Sequence, residues 1–393
     1  MARYRYLIVG GGMAGDAAAR GIRDHDQDGT IGLVAAERDP PYSRPPLSKG
    51  LWAGGDEAKI WRDTANLGVD VHLGRRVTSI DLSARTALDD AGTTHSFERL
   101  LLATGGEARR LPGAPPAVVA FRTLEDYRRL RAAAVPGAKI AVVGGGFIGS
   151  EIAAALATAR CRVTMLFPED GIGARLFPSA LSAFVNDVYR ERGVEVRPNE
   201  LVTAIETSGD GFRVVSEDGV AIEADAVVTG LGITPATELA EALGLPVDDG
   251  IVVDAYGRVG GRDDVFAAGD VARFPVAALG RTMRVEHEDH ANTHGRVVGA
   301  NMAGAGIAYD HLPFFYSDLF DLGYEAVGEL DARLATLEEW VEPYRKGVVA
   351  YVDADGRPRG FLLWDVWGKV DPARALIQAG EPLAVESLRA LLD

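Results

Sequence analysis

Two segments obey the pattern G-x-G-x-x-G: Gly10-Gly11-Gly12-Met13-Ala14-Gly15 and Gly144-Gly145-Gly146-Phe147-Ile148-Gly149. Each follows a short apolar run, Tyr6-Leu7-Ile8-Val9 and Ile140-Ala141-Val142-Val143, and each opens an Ala-rich helical pattern. In a strand–turn–helix of this kind the first glycine makes the tight turn. The second lets the backbone approach a pyrophosphate, and the third lets helix and strand pack closely. Amides at the start of the helix then hold the phosphates. Two copies in one chain imply two dinucleotides held together, and the chemistry that follows is electron transfer between them.

The 393 residues are enough for two or three domains with a substantial core. A net charge of −16 argues against a nucleic-acid binder, which needs a basic face. No apolar run approaches the roughly 20 residues of a membrane-spanning helix. Met1-Ala2-Arg3-Tyr4-Arg5 leads straight into the first strand and leaves no room for a signal peptide, so a cytoplasmic protein is expected. The single cysteine, Cys161, rules out an internal disulfide and reads as a buried, inert thiol.

Along the chain, a helix to about Arg23 is followed by a strand over Thr30 to Val34. Glu37 then lies 22 residues past Gly15, where an acidic side chain meets a ribose hydroxyl. The proline-rich stretch from Asp39 to Lys49 predicts an ordered loop. Leu100 to Gly106 reads as a buried strand ending in small residues, and Arg109, Arg110 and Pro112-Gly113 read as a linker. In the second unit a strand from Arg162 to Phe167 precedes Glu169, 20 residues after Gly149, and Gly232 lies in a turn ending at Pro235. Val265 to Ala272 returns the chain to the first domain as a strand ending in a Gly269-Asp270 turn before a helix, where Asp270 caps the helix or reaches a polyol. From Tyr309 the composition shifts to aromatics and alternating strands. The fold class is therefore α/β. Two Rossmann-like dinucleotide-binding domains, residues 1–115 with 237–306 and the inserted 116–236, precede a C-terminal α+β domain, 307–393.

Several stretches together resemble the two-dinucleotide flavoprotein reductases: putidaredoxin-reductase-like ferredoxin reductases, monodehydroascorbate reductase and apoptosis-inducing factor. They are Pro41-Tyr42-Ser43-Arg44-Pro45-Pro46-Leu47-Ser48-Lys49, Leu102-Ala103-Thr104-Gly105, Ala268-Gly269-Asp270, Arg284 to Ala291 and Phe315-Tyr316-Ser317-Asp318-Leu319. The resemblance covers essentially the whole chain. It implies FAD at the first fingerprint, held by Gly10, Gly12, Met13, Ala14, Gly15, Glu37, Arg44, Lys49, Val77, Ala103, Thr104, Gly105, Asp270, Glu286 and His287. It implies NAD(P)H at Gly144, Gly146, Phe147, Ile148, Gly149, Glu169 and Gly232. The disulfide branch of this superfamily carries a Cys pair on the first helix or a Cys near Lys49; neither is present, so electrons must leave the flavin directly.

The resemblance also implies catalytic roles for Lys49, Glu151, Glu286, His287 and Tyr316. Lys49, Lys59, Lys139, Lys346 and Lys369 are the only lysines among 41 basic residues. By themselves Lys49 reads as a solvated loop charge and Glu151 as an exposed first-turn residue. The resemblance pairs them beside the flavin N5, where a cation stabilises developing negative charge. A helix starting near Glu286 would aim its positive end at the flavin pyrimidine, with Glu286 and His287 flanking the nicotinamide. His290 and His294 lie one turn apart, but His-Glu-Asp-His is not a zinc motif and no metal is expected. Glu169 favours NADH over NADPH, because a carboxylate accepts from the adenosine 2′-OH and repels a 2′-phosphate. Tyr316 stands where ferredoxin reductases usually carry Trp, and reads equally as a flavin-side aromatic or a core residue. Trp364 and Trp367 read as core or rim.

The expected acceptor is a [2Fe–2S] ferredoxin, docked by basic residues such as Arg44, Arg109 and Arg110. The alternatives are monodehydroascorbate or a quinone, or a redox-switch flavoprotein resembling apoptosis-inducing factor. A homodimer is left open.

Overall fold

The structure, a computed structural model, describes residues 2–392. The chain divides into two compact units. The first comprises the segments up to Arg44, Asp56–Glu107 and Thr234–Pro313; the second comprises Pro45–Gly55, Ala108–Ile233 and everything from Phe314 on.

In the first unit the apolar run before Gly10 becomes the strand Ala2–Val9, central in a parallel sheet. Ile31–Ala35 and then Val69–Leu73 lie on one side, and Thr94–Leu102 and then Val265–Ala267 on the other. Leu7, Ile8, Leu100 and Leu101 are fully buried, as expected of parallel strands covered on both faces. A hairpin, Val77–Asp81 with Thr86–Asp89, joins the first half of Thr94–Leu102 antiparallel. The fingerprint helix Met13–His25 lies against the helix Glu288–Met302 at backbone distance. A Cβ on Gly21 would collide with the carbonyl oxygen of Arg296, and one on Gly299 with that of Ala18.

The Gly269-Asp270 turn departs from expectation. No helix follows it: Gly269–Val271 is a single 3-10 turn, and the chain continues as the strand Ala272–Val276. Burial alternates along Ala272-Arg273-Phe274-Pro275-Val276 with period two, and Pro275 has no amide for a helix.

The second unit repeats the first architecture. Its parallel sheet runs Glu195–Arg197, Arg162–Leu166, Lys139–Val143, Ala226–Thr229, Val119–Ala120, with the fingerprint strand again central. A three-stranded antiparallel sheet, Val202–Ser208 with Gly211–Ser216 and Ala221–Ala224, replaces the hairpin. The same unit holds a five-stranded antiparallel sheet in the order Phe314–Leu319, Leu322–Gly328, Pro358–Trp364, Lys346–Val352, Ala335–Glu342. The helices Val370–Ala379 and Val385–Leu392 pack on that sheet. Phe177 packs edge-on against Tyr324 and Trp364, both at 5.4 Å, and so joins this sheet to the second dinucleotide fold. Trp364 is core and Trp367 is an exposed rim residue. Among the described residues no helix is long and apolar enough to cross a membrane.

Because Gly299 meets Ala18 backbone rather than a flexible side-chain tip, G299A should lower stability by about 1–3 kcal/mol, the cost of overpacking. Urea unfolding of the purified protein measures this; an unchanged midpoint would show that the two helices can separate freely.

Candidate functional site

The three motif glycines of each fingerprint turn have three different surroundings. Gly10 has φ +124 and Gly144 has φ +119, and a Cβ on either would collide with a carbonyl oxygen, of Ala103 and Gly230 respectively. A Cβ on Gly15 or Gly149 would strike the carbonyl oxygen of Gly10 or Gly144. A Cβ on Gly12 or Gly146 would meet nothing within 4 Å. These two are the N-caps of the helices Met13–His25 and Phe147–Thr158, and neither helix start carries a side-chain cap. Open space above uncapped amides is what a pyrophosphate requires, so the residues fit a dinucleotide at each turn. Met13 and Ala14 are buried in the first helix; Phe147 is half-buried, with its ring 5.0 Å from that of Phe315, and Ile148 is exposed.

Around the first turn, Glu37 follows the strand Ile31–Ala35 and has both oxygens engaged. Tyr42 donates to one at 2.6 Å and Arg44 to the other at 2.5 Å. The Arg44 guanidinium also lies over the Tyr42 ring at 5.1 Å. Burial works against its charge, yet Tyr42, Glu37 and Asp270 raise its pKa further. Arg44 is thus tied inward rather than presented for docking. Ala103 donates its amide to Val9, the Thr104 hydroxyl donates to the Ala236 carbonyl at 2.7 Å, and Gly105 takes φ +64. Val77 is buried at the start of its hairpin strand. Asp270 sits in the 3-10 turn, and Gly269 packs where a Cβ would press on Ala14.

The helix expected near Glu286 spans Glu288–Met302, with His287 as its N-cap. Glu286 pairs with Arg284 at 2.9 Å. Burial lowers the His287 pKa to about 4, against the opposing pull of Asp270 and Asp289. His290 and His294 are fully buried and stack on each other at 4.7 Å, with Phe274 stacked on His290 at 4.3 Å. His290 Nδ1 lies 3.1 Å from the Tyr309 hydroxyl, and His294 Nδ1 accepts from the Gly269 amide at 3.4 Å. Burial pushes both histidines far down, His294 to about 3, so both are neutral. Among the described residues no group of three or more His, Cys, Asp or Glu is arranged to hold a metal ion.

In the second unit Glu169 pairs with Arg175 at 2.5 Å, and Gly145 packs directly over the buried ring of Phe167. Gly232 takes φ +79, and its carbonyl accepts the Arg109 amide. Arg109 also spends its Nε on the Ile233 carbonyl, and both Arg109 and Arg110 are exposed. Cys161 is buried, and burial raises its thiol pKa.

The same unit brings Lys49 and Glu151 together at 2.6 Å. Glu151 is only 4% exposed, so it is not the solvated first-turn residue that its position alone suggests. The half-buried Tyr316 ring lies 5.3 Å from the Lys49 ammonium. Two further donors were not legible as site residues: Ser48 reaches Glu151 Oε2 at 2.5 Å, and Ser317 reaches Oε1 at 2.6 Å. The only available signal was adjacency, since each serine neighbours a singled-out residue.

Known proteins resemble this chain along nearly its whole length. The family model "Pyridine nucleotide-disulphide oxidoreductase" matches residues 4–295, and "Apoptosis-inducing factor, mitochondrion-associated, C-term" matches residues 298–343. The chain is 37% identical to the anthranilate 1,2-dioxygenase system ferredoxin–NAD(+) reductase component of Burkholderia cepacia, over 95% of this chain and 94% of that protein. It is 31% identical to apoptosis-inducing factor 1 of Dictyostelium discoideum, over 95% and 78%. Among solved structures, the covalent putidaredoxin reductase–putidaredoxin complex superposes with TM-score 0.90 at 30% identity, covering all of this chain and 96% of that one.

The buried histidine stack gives a pH prediction. His294 is neutral in the folded chain down to about 3, but an unfolded histidine takes up a proton below its ordinary value of 6.5. Its contribution is complete above that value and is lost as pH falls, at about 1.4 kcal/mol per pH unit between roughly pH 6 and pH 4. H294F keeps the stacked ring and removes the titration. Urea midpoints taken across that range should therefore fall less steeply in the variant; equal slopes would mean that His294 is not held neutral.

Proposed function

The chain belongs to the pyridine nucleotide-disulphide oxidoreductase family, and from that premise we propose that it is an FAD-containing, NADH-dependent reductase that passes electrons from NADH through the flavin to a [2Fe–2S] ferredoxin. The observation that carries this reading is the pair of dinucleotide cradles in a chain whose one cysteine is buried and inert. No disulfide relay is available. When bound at the first cradle, FAD would supply the link between a two-electron donor and a one-electron protein carrier.

The chain's own residues bind and orient. Gly12 and the uncapped amides behind it take the FAD pyrophosphate; Glu37, with Tyr42 and Arg44 fixing both its oxygens, takes the ribose; Asp270 takes the polyol chain. Gly146 and its helix take the NADH pyrophosphate. Lys49, held by Glu151, supplies the cation that steadies negative charge as the flavin is reduced. The Tyr316 ring lies 5.3 Å from that cation. The start of the helix at Glu288 offers a positive dipole end to the reduced flavin. Glu286 and His287 stand just ahead of it.

The Glu169–Arg175 pair underlies the preference for NADH. Arg175 is largely exposed and Glu169 holds it, so the carboxylate both repels a 2′-phosphate and restrains the guanidinium that could bind one. E169A frees Arg175 and should lower the NADH/NADPH ratio of kcat/KM about tenfold or more; an unchanged ratio disposes of this role.

The match to the apoptosis-inducing-factor C-terminal region favours one second reading, a redox switch that holds its reduced state. Anaerobic stopped-flow separates the two. The purified flavoprotein is reduced with NADH or NADPH, then mixed with a [2Fe–2S] ferredoxin or with air. Fast, NADH-selective reduction followed by rapid ferredoxin reduction is the expected outcome. Slow reduction to a species that persists in air would replace the reductase reading with the switch.

A further inference from the structure

We propose that Ser317 is a positioning residue for the Lys49–Glu151 pair, setting where the Lys49 ammonium is held; the inference rests on the role given to Lys49 above. Ser317 is fully buried in the strand Phe314–Leu319, and its hydroxyl lies 2.6 Å from Glu151 Oε1. That is the same oxygen to which Lys49 Nζ donates, also at 2.6 Å. Ser48 takes the other oxygen at 2.5 Å. The buried carboxylate therefore receives three donors, two of them sharing one oxygen, so the direction of Ser317 fixes the direction left for Lys49.

A buried serine with only a structural task usually bonds a nearby backbone carbonyl. Two others in this unit do so: Ser150 donates to the Gly146 carbonyl and Ser182 to that of Ile172. Ser317 instead spends its hydrogen on a charged side chain 166 residues away in sequence. Its neighbour Tyr316 touches the other member of the pair, with the ring 5.3 Å from Lys49 Nζ. Successive residues of one strand thus address the anion and the cation in turn. The C-terminal sheet grips the pair at both ends, and a charge-assisted hydrogen bond is strong enough to hold that geometry.

The test uses the FAD-loaded protein and the variants S317A, S317C, S317T, K49M and K49M/S317A. The readout is the limiting rate of flavin reduction at saturating NADH, taken with the apparent affinity for NADH and the thermal midpoint. In S317A the rate should fall about tenfold, the scale of one lost charge-assisted bond, with NADH affinity little changed. S317C keeps the volume but donates weakly, so it should be comparably slow; S317T, which keeps the hydroxyl, should recover most of the rate. In the K49M background S317A should cause no further loss, because the two act as one unit. A wild-type rate in both S317A and S317C overturns the proposal, as does a loss that simply multiplies with K49M or that follows the thermal midpoint. If K49M itself reduces at the wild-type rate, the role assigned to Lys49 fails first. Slow K49M with normal S317A and S317C sinks only the role of Ser317.

Discussion

Close backbone approach is the constraint on which the rest depends. At Gly10 and again at Gly144 the chain passes so near the end of a neighbouring strand that a side chain would occupy a carbonyl oxygen. Those contacts press the fingerprint turn onto the carboxyl end of its sheet. The helix beyond each turn then begins at a glycine facing open space, with its first amides unspent. A dinucleotide is the group that can use both the space and the amides. Gly21, Gly295 and Gly299 extend the same device along the first helix, which meets the helix Glu288–Met302 at backbone distance and so fixes where that helix begins.

Buried charge does much of the remaining positioning, and one buried carboxylate in each unit is served by several donors. Asp16, without exposed surface in the first turn of its helix, accepts from Arg20 at 2.9 Å, Arg62 at 2.6 Å and Thr64 at 2.7 Å. Burial alone would raise its pKa; these partners bring it below the ordinary value. Glu151 likewise accepts from three donors, Lys49, Ser48 and Ser317. A buried carboxylate with fewer partners would protonate or unfold its surroundings, so the donor sets are a condition of the fold as much as of the chemistry.

Legibility in the sequence followed locality. The two fingerprints, each with the strand before it and the helix after it, were readable because a strand–turn–helix is written in consecutive residues. The helix expected after Asp270 was misread because a Gly-Asp turn after a buried strand resembles a helix start, and only Pro275 with the period-two burial marked the strand that forms. The Lys49–Glu151 pairing came from resemblance, since 102 residues separate the two and neither segment shows a signal of its own. Ser48 and Ser317 were invisible for a deeper reason. A serine carries no mark of which distant carboxylate it will meet, and adjacency to a singled-out residue does not separate Ser48 and Ser317 from Ser150, which neighbours Glu151 yet bonds the backbone.

The same donor set explains why a chain so dominated by arginine has lysine at position 49. A guanidinium binds a carboxylate best as a fork, with one N–H to each oxygen. At Glu151 that arrangement is closed: Ser48 already occupies Oε2, and Ser317 already shares Oε1. An arginine at position 49 would have to displace a serine or bind through one arm and leave other donors unpaired in a largely buried site. An ammonium needs only one point of contact, and it can turn its remaining hydrogens toward the Tyr316 ring and whatever negative charge develops beyond it. The serines and the lysine are therefore one choice, made by a carboxylate with two oxygens and three donors.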